Sequence, residues 1–199
     1  MSAALKIIQL DSVESTNSYA WDLALKGQNE ITIVRANSQT KGRGRMGRGW
    51  ESPKGLGIYA SFILRPANPL SEIQKLPLVF ALGVAKTLHS LVKTKIKEPN
   101  DVMAGKCKIC GVLVETKSDR KKVDFVIAGL GVNVNNEQND LIAGATSLYL
   151  ETKKKYNIDE LFKKIVSQEL TLYEQFRKGR LGLIQKELEV YKNDRSRYR

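Results

Sequence analysis

Histidine is nearly missing: His89 is the one copy in 199 residues. Zinc sites and Ser-His or Cys-His catalysis therefore have almost nothing to be built from. Cysteine is scarce too, with two copies, too few for a disulfide framework in a chain of this length. No apolar stretch approaches the ~18–20 residues that a membrane span needs. The opening MSAALKIIQLD lacks a basic region followed by an apolar core, so it does not read as a secretory signal. A cytoplasmic, reduced protein without a membrane partner is the simplest reading.

What is present fits one sizeable soluble domain, with 42% hydrophobic and 27% charged residues. The charge is one-sided: 33 Lys and Arg against 21 Asp and Glu give +12. Such a surface attracts polyanions, whether nucleic acid, anionic lipid, a nucleotide or an acidic partner protein, and charge alone does not choose among them.

Ser15-Thr16-Asn17 is a helix-start cluster, and Ala20, Leu23 and Ala24 continue on one face until Lys26-Gly27 stops the helix. Ile31 to Val34 and Gly57 to Leu64 read as strands. Pro77 suits a first helical turn, followed at helical spacing by Leu78, Leu82, Ala85, His89 and Val92. On that apolar stripe His89 reads as a core histidine rather than a ligand. Ile109 to Thr116 and Val123 to Ala128 are two more strands, with the polar run from Lys117 to Lys122 as their hairpin turn. After Val134 the chain is loop-like as far as Leu148. Asn157 with Glu160 resembles a capping box that starts a helix with Ile158, Leu161, Ile165, Leu172 and Phe176 inward, ending near Gly179. A last helix covers roughly Leu183 to Asn193. Strands dominate early and helices late, which predicts an α+β fold.

The most informative segment is Gly42-Arg43-Gly44-Arg45-Met46-Gly47-Arg48-Gly49-Trp50. Gly42, Gly44 and Gly47 spell the dinucleotide fingerprint, but a turn and a strand follow where that motif requires a helix. The kinase and Walker patterns are missing as well. What remains is a flexible backbone with three arginines in the six positions from Arg43 to Arg48. Each guanidinium can fork onto a phosphate or carboxylate. Packed cations repel, so the loop is expected to be mobile until an anion arrives. A solvated surface loop and a nonspecific nucleic-acid segment are the competing readings.

With Gln39-Thr40 in front, this segment reads Gln-Thr-x-Gly-Arg-Gly-Arg-x-Gly-Arg-x-Trp. It resembles the biotin-binding loop of biotin–protein ligases. Three further segments resemble the same family in the same order. They are Asp11-Ser12-Val13-Glu14-Ser15-Thr16-Asn17; Lys97-Glu98-Pro99-Asn100-Asp101 followed by Lys108-Ile109-Cys110-Gly111-Val112-Leu113-Val114-Glu115; and Gly129-Leu130-Gly131-Val132-Asn133-Val134-Asn135, with Ala145-Thr146-Ser147-Leu148 after it. The likeness covers roughly residues 5 to 150.

The resemblance implies a mixed or antiparallel β-sheet flanked by helices, of the class II aminoacyl-tRNA synthetase/biotin synthetase-like kind. It implies that biotin is activated with ATP and Mg2+ to biotinyl-5′-AMP and passed to a lysine of a biotin carboxyl carrier protein. By the same resemblance Ser15, Thr16 and Asn17 bond the ureido head of biotin, and Gln39 lies near its valeryl chain. Arg43, Gly44 and Arg45 close over the carboxylate and phosphate, with Trp50 supporting the loop and contributing to the ATP site. Lys108 sits between attacking carboxylate and α-phosphate. Asn100 and Asp101 face the ATP phosphates, with Asp101 the one residue assigned to magnesium and to accepting the carrier lysine's proton. Gly111 and Gly129 line the biotin pocket, and Asn133 contacts the nucleotide.

Two residues depart from the family pattern. Glu98 stands where tryptophan is usual, which is expected to put negative charge near the phosphates, and Cys110 replaces alanine. Cys107 and Cys110 form a C-x-x-C that reads as coincidence. Residues 1–150 are expected to be the catalytic domain and 151–199 its helical C-terminal part, with no N-terminal DNA-binding domain and no evident C-terminal β-barrel. Specific DNA binding is not expected, and the chain is expected to be a monomer or homodimer. A lipoate or octanoyl ligase, a basic nucleic-acid-binding module and a biotin sensor without transferase activity are the alternatives.

Overall fold

The computed structural model describes residues 5–119 and 122–192. Its strands are β1 (Lys6–Val13), β2 (Thr32–Gln39), β3 (Gly57–Leu64), β4 (Thr94–Lys97), β5 (Asp101–Ala104), β6 (Cys107–Ser118) and β7 (Val123–Asn133). They form one sheet in the order β1-β2-β3-β7-β6-β5-β4. β1 and β2 are parallel, as a helical crossover between them requires, and the remaining pairs are antiparallel. That crossover is α1 (Thr16–Leu25); the other helices are α2 (Leu70–Ile73), α3 (Leu76–His89), α4 (Leu148–Thr152), α5 (Ile158–Arg177) and α6 (Leu181–Lys192). The expected α+β class and mixed sheet are what the structure has.

Local chemistry accounts for the boundaries. Ser15 caps α1 by accepting the Ser18 N–H, and Gly27 ends it at φ +82, a conformation open to glycine. Asn157 caps α5 through the N–H groups of Asp159 and Glu160, and Gly179 follows its end at φ +71.

The period-2 alternation of the central strands sorts the sheet into two faces. On one, Ile58, Ala60, Phe62 and Leu64 of β3 join Val126, Ala128, Leu130 and Val132 of β7 in a large core under α3, α5 and α6. On the other, Val34, Ile63, Phe125 and Ile127 pack against Ala20 and Ala24 of α1 in a smaller cluster. Farther along this second face the same strands carry Ser61, Gly129 and Gly131. The register places Ser61 opposite Gly129, Gly129 opposite Leu113, and Gly131 opposite Gly111. Small residues in adjacent strands thus leave a hollow in front of the N-terminus of α1.

The structure adds β1, β4 and β5, which the sequence pattern did not reveal, and extends β2 to Gln39 and β7 to Asn133. β2 begins at Thr32 because Ile31 sits at φ 62, outside the strand region. His89 is corrected from core to surface: it ends α3 exposed, with Nδ1 3.1 Å from Thr94 Oγ1 and its ring edge-on to Tyr191. Val92 lies beyond that helix. Arg120, Lys121 and Asn193, named above in a turn and a helix end, lie outside the described residues.

Candidate active site

The hollow is a cavity of about 440 Å³. Every residue named from the sequence as a site candidate lines it, drawn from α1, the end of β2, the arginine-glycine loop, the β4–β5 turn, β6 and β7. The structure thus brings all of them together around one space.

The floor is polar, buried and internally bonded. Ser15, Thr16 and Asn17 are only 3–4% exposed. Gln39 Oε1 accepts the Thr16 N–H at 2.8 Å and faces its hydroxyl at 3.0 Å, while Gln39 Nε2 donates to Ser52 Oγ at 2.9 Å. Asn17 Nδ2 donates to Glu115 Oε2 at 2.8 Å and Leu113 O at 3.3 Å. Ser61 Oγ lies 2.6 Å from Asn17 Oδ1 and 2.8 Å from Thr16 Oγ1. Burying polar groups costs little when each finds a partner, and here each does. Gly129 makes room for this floor: a Cβ there would stand 2.0 Å from Asn17 Oδ1.

The opposite wall is cationic. Lys108 Nζ pairs with Asp101 at 2.6 Å, Arg43 with Glu115 at 2.8 Å, and Arg45 Nη1 donates to Asn100 Oδ1 at 3.2 Å. Asn100 is in turn held by its Nδ2 to Val112 O at 2.6 Å. The expected repulsion within the loop is thus relieved by acceptors for Arg43 and Arg45. The loop itself is a small hairpin: Gly44 N–H donates to Arg48 O, Trp50 N–H donates to Gly42 O, and Met46 forms its exposed tip. Gly42 permits the closure, since a Cβ there would stand 2.3 Å from Trp50 O.

Trp50 lies across the paired glycines of β6 and β7. A Cβ at Gly131 would come within 2.3 Å of its ring and one at Gly111 within 3.0 Å. Lys108 Nζ is 5.2 Å from the ring centroid, within cation–π range. Trp50 Nε1 is buried and has no acceptor among the described residues, so it is a donor available to a ligand. Asn133 commits Nδ2 to Thr146 O at 2.9 Å, and Lys108 exchanges backbone bonds with Gly144 and Thr146. The segment around Ile142, itself 59% exposed, thereby forms a rim of the cavity.

Sequence reasoning missed Ser61, Glu115, Gly131 and this rim as parts of the site. Ser61 had a signal, being the one small polar side chain flanked by apolar residues within the strand from Ile58 to Leu64. Glu115 and Gly131 lay inside recognised motifs but received no role. One expectation changes. Glu98 does not line the cavity; it pairs with Lys192 of α6 at 2.5 Å, so its charge is directed away from the site. Cys107 and Cys110 are free thiols, and burial pushes the Cys110 thiol up. Among the described residues no three His, Cys, Asp or Glu side chains cluster as a metal cage. No helix among them is long and apolar enough to cross a membrane.

Residues 10–133 match the model of the biotin/lipoate A/B protein ligase family. The chain belongs to that family. It is 40% identical over 136 residues to the bifunctional ligase/repressor BirA of Bacillus spizizenii, a match covering 67% of this chain and 42% of that one. It is 33% identical over 150 residues to the biotin–[acetyl-CoA-carboxylase] ligase of Mycobacterium tuberculosis, covering 70% and 54%. The chain thus spans about half or less of the length of these two relatives. The biotin protein ligase from Aquifex aeolicus, solved in complex with biotin and ATP, superimposes with a TM-score of 0.79 at 31% identity, covering 94% of this family member and 78% of that chain. The fold is therefore that of the biotin protein ligases.

Proposed function

We propose that this chain catalyses the two half-reactions of a biotin–protein ligase: biotin and ATP give biotinyl-5′-AMP and pyrophosphate, and a carrier-protein lysine then attacks the acyl carbon, forming an amide and releasing AMP. The observation that carries this reading is the joining of a bonded polar floor and a wall of three cations in one cavity of about 440 Å³. A small uncharged polar head suits the floor, and the anionic ends of two substrates suit the wall.

The chemistry needs that wall. A carboxylate must attack a phosphate, and two unit charges of like sign 4 Å apart repel by about 4 kcal/mol at an effective dielectric of 20. Lys108, Arg43 and Arg45 placed between them offset the repulsion and stabilise charge on phosphorus as pyrophosphate leaves. Asp101, ion-paired with Lys108 at rest, holds that ammonium in position in this reading and accepts a proton from the attacking amine in the second step. Magnesium would arrive with the nucleotide and shield its phosphates; the single carboxylate of Asp101 suits an ion held mainly by phosphate and water. The mixed anhydride hydrolyses readily, and the hairpin carrying Arg43 and Arg45 is placed to cover it.

The test is biotin-dependent exchange of labelled pyrophosphate into ATP. Lys108→Ala is expected to lower that exchange by about 10²–10³-fold while the protein stays folded. Wild-type protein that binds biotin without exchange would instead be a biotin sensor. A lipoate or octanoyl ligase is the second reading, since the family includes both. The hydrogen-bonding floor favours biotin, and a larger thermal shift with lipoate than with biotin would reverse that preference. Tight nucleic-acid binding that falls steeply with salt, without biotin binding, would return the +12 charge to first place.

A further inference from the structure

The sense of hydrogen bonding at the floor is set by a residue that the chemistry above does not use. An asparagine amide can stand either way round, and its orientation decides whether the cavity meets an acceptor or a donor. On the Nδ2 side of Asn17 both neighbours accept only: Glu115 Oε2 at 2.8 Å and the Leu113 carbonyl at 3.3 Å. Turning the amide over would press Oδ1 against a carboxylate and a carbonyl. Oδ1 is therefore the atom held toward Ser61 and Gly129. Ser61 can supply one hydrogen to it, and its second lone pair is left for a ligand. Of the two acceptors Glu115 is the charged and nearer one, and charge-assisted bonds are the stronger kind. The same Oε2 also accepts from Arg43 Nη2 at 2.8 Å, so one carboxylate oxygen ties the floor to the loop.

We infer that Glu115 is the positioning residue that sets acyl-substrate specificity, by holding Asn17 so that the floor demands an N–H donor. A ureido ring carries such donors and a dithiolane ring carries none. The identity of the preferred substrate rests on the ligase reading above. Glu115 itself touches no reacting atom and acts through Asn17.

The experiment is calorimetric titration of the full chain with biotin and with lipoic acid, for wild type, Glu115→Ala, Glu115→Gln, Asn17→Ala and the double variant Asn17→Ala/Glu115→Ala. Glu115→Ala is expected to weaken biotin by about tenfold and leave lipoic acid within about twofold. Glu115→Gln, whose side-chain oxygen still accepts from Asn17, is expected to hold biotin within about threefold of wild type. The double variant is expected to bind biotin no more weakly than Asn17→Ala alone, as for residues acting through one contact. Equal weakening of both ligands, no weakening of biotin, or additive losses in the double variant would overturn the inference. Wild-type protein that binds biotin but shows no pyrophosphate exchange would remove the ligase reading while the binding ratios still decide the role of Glu115. Wild-type protein that does not bind biotin would overturn both.

Discussion

The two faces of the sheet are built to different rules. Under α3, α5 and α6 the strands present Ile58, Phe62, Leu64, Val126 and Val132, all essentially without solvent exposure. On the α1 side the same strands present Ser61, Gly129 and Gly131 beside Ile63 and Ile127. The first face is close-packed hydrocarbon. The second is packed only where α1 covers it, and elsewhere it is hollow, polar and internally bonded. One face carries the stability that lets the other hold residues chosen for a ligand. Separable faces predict separable failures.

The largest expected effect is on the packed face. Phe62 meets Phe80 edge-on, with centroids 5.3 Å apart, in the middle of the large core. Phe62→Ala is expected to cost about 3–5 kcal/mol of unfolding free energy, read by denaturant titration. Biotin affinity measured where the variant is still folded is expected to be unchanged. Affinity falling in step with stability would show that the two faces are not independent. Gly129→Ala is the converse experiment. Its Cβ would stand 2.0 Å from Asn17 Oδ1, so the floor must shift. Biotin affinity is expected to drop by about 100-fold, or about 2.7 kcal/mol, with stability changed by less than about 1 kcal/mol.

These faces were unequally legible in the sequence. β3 was read to its true ends because all eight of its residues are buried and turn signals bound it on both sides. α1 and α5 were legible through Ser15 and Asn157, whose caps are local chemistry. β1, β4 and β5 were not: β1 alternates weakly and leaves Ile7 exposed, and β4 and β5 are four residues each. Such short strands exist because neighbours hold them, information that periodicity does not contain. The site divides similarly. Thr16, Arg43 and Lys108 sit in motifs, whereas Ser61 becomes part of the site only through its pairing opposite Gly129.

Glu169 is the exception that sharpens the comparison. It is a wholly buried carboxyl on the packed face, on α5 against Gly83 of α3, where a Cβ would stand 2.3 Å from its Oε1. Neither oxygen has a hydrogen bond of ordinary geometry, and the Val84 backbone compensates only in part. Burial therefore pushes its pKa well above the ordinary 4.5. The folded protein keeps a proton that the unfolded chain gives up, so this contribution is full below about 4.5 and is lost as pH rises through the folded value. Glu169→Gln is expected to raise stability by about 1–2 kcal/mol at mildly alkaline pH and by much less near the ordinary glutamate pKa. Melting curves across pH that run parallel for variant and wild type would show that Glu169 is ionised in the fold after all.

The smallest effect is expected where elements of the two faces meet. Lys192, the last residue of α6, pairs at 2.5 Å with Glu98, next but one to Asn100 in the turn that supplies Asn100 and Asp101 to the cavity. Its hydrogen bond with Glu98 raises the lysine pKa above the ordinary 10.5, so on the alkaline side this contribution is full below about 10.5 and lost as pH rises through the folded value. Glu98 is 57% exposed, which leaves the pair open to solvent screening, and Lys192→Ala is expected to cost only about 0.5 kcal/mol, less in high salt. The turn is also held from β6 by the two bonds between Asn100 and Val112. The KM for ATP is therefore expected to move by less than about twofold, the range of a surface pair. A larger rise in that KM with unchanged melting temperature would mean that α6 positions the turn before β5 as well as covering the core.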